Sequence, residues 1–554
     1  MQKSTGGQRR SPHYDVAILG SGMAGGMLGA VLARNGVKVL LLDAGTHPRF
    51  AVGESTIPYT SGITRIIADR YNVPEIKPLS SFKGIMRKVS RNCGQKQNFG
   101  FVYHEEGRPQ DSGKINQMVV PAALRTETHL FRQDIDAYLF HLAVKYGAQP
   151  QLATRIADIE IDPDQGAVLR TEGGQEFRAS YVVDGSGFRS PLAEKLSLRE
   201  TPTRARTHSR TLFTHMVGVR PFDDAPAARG HDQPNPWHHG TLHHVFDGGW
   251  LWVIPFDNHA GAVNPLCSVG LTLDPRVHPK GEGTPQQEFD DFLARFPEIA
   301  WQFRGAAAVR PWVATGRLQY SAKQVVGERF CLTSHAAGFI DALYSRGLTN
   351  TLELVNALGW RLIAASRDGD WSLERFGYLE ALQQGLFDFH DDLVHSSFVG
   401  FRDYELWNAV NRTWMLGTML GNVMLEDAHF RFSKTGDDSI FKDLEASDRP
   451  GSPLPVSASF NEMGILTRDL CRSVEEGKTG PGDAAARILE HIKGADFIPS
   501  VFGFGERDMR CFNMSPMKMM RNAVWCRTDA PPEMGKRMIN ASKGLVGMRI
   551  RGGL

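Results

Sequence analysis

Cysteine is scarce: Cys93, Cys267, Cys331, Cys471, Cys511 and Cys526 are the six in 554 residues, with no C-x-x-C pair among them. Zinc ribbons and a disulfide framework are excluded on that spacing, and reduced thiols in a cytoplasm are expected. Net charge is almost absent, Lys+Arg 63 against Asp+Glu 61 for +2. So even a balance gives no reason to expect nucleic acid or an anionic membrane as partner. Internal repeats, low-complexity tracts and a G-x-S-x-G elbow are missing, which removes solenoids and serine hydrolases. At 41% hydrophobic and 22% charged residues the composition is globular, unlike that of a disordered or coiled-coil chain. Long apolar runs are missing too, with one exception. Val16–Ala33 is uncharged and follows Arg9-Arg10, so it could pass for a twin-arginine signal or a short membrane span. Its five glycines have a better explanation.

Asp15–Leu19 reads as a buried strand, Gly20-Ser21-Gly22-Met23-Ala24-Gly25 as a turn opening a helix to about Asn35, and Val37–Leu42 as a second strand. This is a β-α-β unit carrying G-x-G-x-x-G, the dinucleotide fingerprint. Gly20 permits the turn, Gly22 lets a pyrophosphate approach the backbone, and Gly25 lets helix and strand pack closely. The helix N-terminus offers N–H groups to the phosphates. Asp43 ends the second strand, where a carboxylate binds ribose hydroxyls. The fingerprint alone does not separate NAD from FAD.

Residues 1–13 are expected to be frayed. From about 80 to 270, short alternating strands with Pro/Gly-rich breaks dominate, interrupted by a helix over Asp134–Lys145. Helices are expected over Leu379–Val394, Tyr404–Leu420 and Pro481–Lys493, with a polar loop at Lys434–Ser459 and a break at Arg527–Gly535.

Three further stretches stand out. Val52-Gly53-Glu54-Ser55 follows the β-α-β unit, Trp250-Leu251-Trp252-Val253-Ile254-Pro255 has the form W-x-W-x-I-P, and Gly338–Gly347 reads G-F-I-D-A-L-Y-S-R-G. With the fingerprint they resemble the flavin-dependent halogenases, which share the fold of the FAD aromatic hydroxylases. Hydroxylases of that fold lack the W-x-W-x-I-P run. Leu130–Asp136 and Asp184-Gly185-Ser186-Gly187 match as well. The resemblance covers residues 14–420 and is nearest to the subgroup acting on free phenols, phloroglucinol-type substrates included.

The resemblance implies an α/β fold: an FAD-binding, aromatic-hydroxylase-like (GR2-type) Rossmann module over 14–395 with an interleaved antiparallel substrate sheet. A mostly helical region over 396–554 would cover the substrate. FAD, used as FADH2, would be held by Gly20, Gly22, Gly25, Asp43, Gly53, Glu54, Ser55, Arg132, Asp184, Gly185 and Asp341. Chloride or bromide would sit at Arg346 and Gly347, on a nest of backbone N–H groups. Hypohalous acid made there would be guided to the substrate by Lys96, in Lys96-Gln97-Asn98-Phe99-Gly100-Phe101, the family's K-x-N-F-G-F pattern. A lysine suits this because burial can shift its pKa. Lys83 and Lys88 lack that setting. Trp250, Trp252, Ile254 and Pro255 would obstruct direct oxygen transfer; the two tryptophans share a strand face.

The implied partners are a small phenol and a separate NAD(P)H flavin reductase, with a carrier-bound substrate as the alternative to a free one. Two departures matter. Ser334-His335 replaces the family's Gly-Asp, and Ala342 the proline after Asp341. Tyr344 stands where tryptophan halogenases have glutamate, which counts against tryptophan as substrate. Phe387, Phe389, Phe398, Phe401, Tyr404 and Trp407 either line a pocket or form a helical core. No metal is expected. His243 and His244 would point to opposite faces of a strand, away from a common site with His238 and His239. Glu426-x-x-His429 has no second copy, and Asp388, Asp391 and Asp392 read as a solvated helix face. The rival functions are an FAD monooxygenase or dehydrogenase of this fold, and a non-catalytic flavin-binding partner protein.

Overall fold

The computed structural model describes residues 12–120, 127–454 and 457–550. Residues 1–11 of the expected frayed segment lie outside these; His13 already belongs to a strand. That strand, His13–Leu19, lies at the centre of a parallel set. It pairs with Val39–Leu42 on one side and Glu176–Asp184 on the other, and Gln149–Gln151 and Phe330–Leu332 extend the set outward. Val16–Leu19 and Val39–Leu42 are buried throughout, which is why they read as unbroken apolar runs. In the register Leu19 faces both Leu42 and Asp184, and Asp184 faces Leu332. The loops after these four strands therefore share one edge, where open α/β sheets bind ligands. Helix Met23–Arg34 lies against helix Arg132–Lys145, with Gly26 under Leu139 and Gly29 under Ala143.

The second sheet orders its main strands Arg210–Val217, Cys267–Leu273, Gly249–Pro255, Thr241–Phe246, Asn98–Tyr103 and Ile115–Val119. The expected antiparallel pairing holds except at two joints. Thr241–Phe246 runs parallel to Asn98–Tyr103, and Cys511–Phe512 runs parallel to Ile115–Val119. Both joints connect strands far apart in sequence, where no hairpin forces antiparallel pairing.

Among the described residues, seven helices of ten residues or more follow Leu332, from Arg346–Asp368 to Pro532–Ile550. Leu373–Gly400 runs through position 395, where the sequence suggested a boundary; the chain breaks its helix instead at Phe401–Asp403. Asp403 caps the next helix, Tyr404–Thr435, by accepting from Leu406 N–H, and Gly436 ends it in the left-handed region. The expected polar loop carries a short helix, Ser439–Asp443, and the expected break before Gly535 shrinks to 529–531 between Pro516–Thr528 and Pro532–Ile550. No helix of the described residues is long and apolar enough to cross a membrane.

Candidate active site

At the shared edge of the first sheet, Gly20 adopts φ +91°, and a Cβ on Gly25 would stand 1.8 Å from the Gly20 carbonyl oxygen. Only glycine makes this turn. Helix Met23–Arg34 begins on Gly22 with no side-chain cap, which leaves its first N–H groups for an anion. A Cβ on Gly22 would meet nothing nearer than the Asp136 carboxylate at 3.5 Å, so the approach is open. Asp43 accepts from Ser21 N–H and Oγ–H, each at 2.7 Å, and from Gly45 N–H at 2.8 Å, and pairs with Arg49. Burial alone would raise this carboxyl, but Arg49 and the N–H donors bring it down to about 2. Its fixed negative charge suits a ribose hydroxyl. Open cradle, uncapped helix and ionised acid fit the adenine-dinucleotide half of FAD.

The other expected cofactor residues divide. Arg132 pairs through two bonds of 2.8 Å with Asp136 and donates to the Val52 and Gly53 carbonyls, so it clamps the Val52–Ser55 turn. Glu54 turns away to His215, 2.7 Å distant. The Asp184 carboxylate accepts from Ser186 N–H and Oγ–H, Ser190 Oγ–H and Leu192 N–H. It is spent on its own loop and shapes the place of Gly185, which packs under Gly20. Ser55 faces Lys96.

Lys96 is 2% exposed, whereas Lys83 and Lys88 are on the surface. Its Nζ donates to Ser55 Oγ at 2.7 Å and the Thr56 carbonyl at 2.8 Å, and lies 4.0 Å from the Phe99 ring centroid. Burial pulls its pKa from 10.5 to about 7, with Glu127 opposing. Behind Ser55 runs a relay. Ser55 Oγ meets Thr241 Oγ1 at 2.9 Å, Thr241 meets His129 Nε2 at 2.9 Å, and His129 Nδ1 meets the Pro255 carbonyl at 2.8 Å. Burial and Lys96 push His129 down to about 3, so it is neutral. A carbonyl only accepts, so Nδ1 carries the proton, Nε2 accepts from Thr241, and Thr241 accepts from Ser55. Ser55 thus presents lone pairs to Lys96.

Lys96 sits on the rim of an aromatic box. His243 stacks between Phe99 and Phe101 at 4.5 and 4.6 Å, Trp414 lies 4.7 Å from Phe99, and Trp407 5.1 Å from Phe101. Trp250 and Trp252 share the strand face, their rings 5.4 Å apart, and Ile254 joins the same buried cluster. A Cβ at Gly270 would fall 2.0 Å from the Trp252 ring. Tyr344 stacks on Trp414 at 4.8 Å, which connects the box to the loop 338–347.

In that loop Asp341 is buried and accepts from Leu343 N–H at 3.0 Å and Ser209 Oγ–H at 3.1 Å. Burial pushes its carboxyl up to about 7 against those bonds. It ties the loop to the second sheet. Ser345, at φ +53°, leads into helix Arg346–Asp368, whose first turn has neither an acidic residue nor a side-chain cap. Arg346 is buried, its guanidinium 5.0 Å over the Phe389 ring; burial lowers its pKa, with the charge of Glu353 opposing. Its Nε has no partner among the described residues. A cavity of about 60 Å³ beside Gly347 is lined by His335, Phe387 and His390 among others.

Of the remaining aromatics, Phe398, Phe401, Tyr404 and Trp407 belong to the buried cluster around the box. His243 and His244 do face opposite sides of their strand, His244 meeting His104 at 2.9 Å. Glu426 pairs with Arg65, and His429 with Asp69. The solvated face expected of three aspartates holds for Asp388 alone among the fully exposed positions. Asp391 is buried, because it accepts the backbone N–H groups of Arg206 and Thr207.

A family model described as FAD binding domain matches residues 13–261. Tetracycline 7-halogenase of Kitasatospora aureofaciens is 45% identical over 543 residues, 97% of each chain. Monodechloroaminopyrrolnitrin halogenase PrnC of Pseudomonas fluorescens is 46% identical over 546 residues, 97% of this chain and 95% of that one. The chain belongs to the flavin-dependent halogenases. The crystal structure of halogenase PltM in complex with phloroglucinol and FAD shares its fold at a TM-score of 0.86 and 33% identity, covering 90% of this chain and 99% of that one.

Halogenase likeness therefore extends well past residue 420, through the helices that the sequence motifs did not reach. As a family member the protein is an FAD-using enzyme that halogenates aromatic substrates, and the monooxygenase and partner-protein readings give way. Motifs missed the halogenase's Ser55–Thr241–His129 relay, because its members lie on three separate strands or turns. The one sequence signal was a Thr241 beginning the strand that carries the His243-His244 pair.

Proposed function

We propose that the protein chlorinates or brominates an electron-rich phenolic ring, with Lys96 delivering the halogen from hypohalous acid. The observation that carries this is Lys96 itself, buried in an aromatic box and held by two acceptors at 2.7 and 2.8 Å. Reduced FAD with oxygen supplies the oxidising power that turns halide into hypohalous acid. The uncapped start of helix Arg346–Asp368 and the buried Arg346 favour an anion there, which supports the halide site at Arg346 and Gly347.

Two of the three positions on Nζ are fixed by Ser55 and Thr56. With a pKa of about 7, the third holds a proton or a lone pair in comparable amounts at neutral pH. As ammonium it donates to the hypohalous oxygen and polarises the O–halogen bond; as amine it accepts the halogen. Either way the ring carbon gains halogen, the O–halogen electron pair leaves as hydroxide, and loss of the ring proton yields water. Trp250 and Trp252 fill the strand face beside the box, which favours a small diffusing oxidant over direct oxygen transfer. PltM bound to phloroglucinol supports a free phenol over a carrier-bound substrate. Reduced flavin would come from a separate NAD(P)H flavin reductase.

The test is mass spectrometry of a reaction containing the protein, FAD, a flavin reductase, NADH, oxygen, bromide or chloride, and a phenol panel with resorcinol and phloroglucinol. Halogen isotope doublets that vanish in Lys96→Ala are expected. Oxygenated products without halogen would overturn the proposal.

A further inference from the structure

The cavity beside Gly347 has no use in this mechanism. At about 60 Å³ it has room for more than one water-sized body. No acidic side chain of the described residues lines it. Three of its lining residues carry buried polar atoms without a hydrogen-bond partner among the described residues: His335 Nε2, His390 Nε2 and Asn350 Oδ1. His390 is 4% exposed. Folded proteins keep few such groups unpaired, since each forfeits its bonds to water. Three around one cavity point to a ligand that pairs them.

The charges that act on the two rings are positive. Burial and then Arg132 lower His335 to about 4; burial, then Arg346 and His335, lower His390 to about 3. Both are therefore neutral. A neutral imidazole carries its one proton on either nitrogen, so each Nε2 can donate. At the rim, Arg199 donates to the Ala336 carbonyl at 2.7 Å, and Arg204, paired with Glu200 and Asp388, lies 4.5 Å over the Phe387 ring. Two N–H donors with cations behind them, and no carboxylate in the wall, suit a small monovalent anion and disfavour a metal ion. Gly347 joins this cavity to the expected halide nest. A Cβ there would stand 3.2 Å from His335 Nε2, with no other side chain within 4 Å. Only glycine's hydrogen separates His335 from the uncapped first turn of helix Arg346–Asp368.

We propose that this cavity is a second halide site, an antechamber where chloride or bromide is held by His335 and His390 before passing Gly347 to the nest. Asn350 Oδ1 accepts from a water that travels with the ion. The ion thus arrives from the side of helix Leu373–Gly400, which carries His390, and not through the aromatic box. The proposal rests on the halide site at Arg346 and Gly347 and adds the route that feeds it.

His390→Phe fills the cavity and removes a donor, whereas His390→Gln keeps an N–H. The readouts are the anomalous X-ray signal of bromide in crystals of the FAD-loaded enzyme, KM for bromide, KM for the phenol, and melting temperature. Wild type should show a bromide peak within hydrogen-bond reach of both Nε2 atoms, and His390→Phe should lose it. KM for bromide should rise about tenfold in His390→Phe, as for one lost bond to a charged partner, with KM for the phenol unchanged. His390→Gln should recover most of the loss. No peak in the cavity at a bromide concentration that saturates turnover would overturn the proposal. So would a peak with KM for bromide unchanged in His390→Phe, the mark of an adventitious ion only. Both KM values rising together with a lowered melting temperature would make His390 structural and overturn it too. If the wild type halogenates nothing, the functional proposal fails instead, and the bromide peak still decides the cavity.

Discussion

Replacing Lys96 with methionine should abolish halogenation and stabilise the protein at the same time. Burial lowers the lysine from 10.5 to about 7, which at 1.36 kcal/mol per unit is a penalty of about 5 kcal/mol on the ammonium. Below pH 7 the group is charged in both folded and unfolded states, so the full penalty stands. Between pH 7 and 10.5 only the unfolded state holds the proton, and the penalty shrinks with rising pH. At pH 7.5 about 4 kcal/mol remains. Methionine removes it but forfeits the bonds to Ser55 and Thr56, about 1 kcal/mol each. The net gain is about 2 kcal/mol. At roughly 2.1 cal/mol/K per residue the unfolding entropy of this chain is about 1.2 kcal/mol/K, so the melting temperature rises by about 2 °C. The gain vanishes near pH 9, where about 2 kcal/mol of penalty remains to match the two lost bonds. Scanning calorimetry of Lys96→Met against wild type from pH 6 to 9.5 reads this directly, with product mass spectrometry alongside. A variant less stable than wild type at pH 7, or one that still halogenates, would refute a poised, buried catalytic amine.

Gly270→Ala drives a methyl into the Trp252 ring and should cost about 1–3 kcal/mol, read as a lower melting temperature, with less halogenated product per turnover of NADH. Thr241→Val cuts the relay between Ser55 and His129; kcat should fall severalfold with KM unchanged, and its pH profile should shift because Ser55 no longer has a fixed orientation. Asp43→Ala removes an acceptor that sits at about 2, and FAD titration should show affinity lost by tenfold or more, about 1.5–3 kcal/mol for a bond to a charged group. Because that carboxyl is lowered, its contribution stays constant from pH 9 to about 4 and disappears only as pH falls through about 2.

What was legible in the sequence was what local sterics dictate. Gly20 and Gly25 must be glycine for the turn and the helix contact, and Gly22 leaves the approach open, so the first β-α-β unit stood out from spacing alone. Trp250 and Trp252 had to share a face because strands alternate, and they do. Asp43 follows directly on the strand Val39–Leu42, as the length of the apolar run implies. The errors came from contacts that no window of sequence contains. Asp391 looked solvated on its own helix and is buried by backbone donors at 206 and 207. Asp184, which the resemblance assigns to the cofactor, has its carboxylate engaged by Ser186 and Ser190, loop contacts that the motif alone did not show.

Ser55 shows the same limit more sharply. Its motif placed it with the cofactor, and the fold turns its hydroxyl toward Lys96 because the chain after the Val52–Ser55 turn pairs with the edge at His129. Once there, its proton is committed to Thr241, and the direction of that commitment is set by one carbonyl, Pro255, three bonds away. So the last residue of the W-x-W-x-I-P run does more than end a strand. Its carbonyl fixes the His129 tautomer, which fixes Thr241 and Ser55, and thereby leaves Lys96 an acceptor rather than a competing donor. The tryptophans and the lysine, far apart in sequence, are joined through this chain of hydrogen bonds, and a change at Thr241 should therefore be felt at the Lys96 amine without touching either motif.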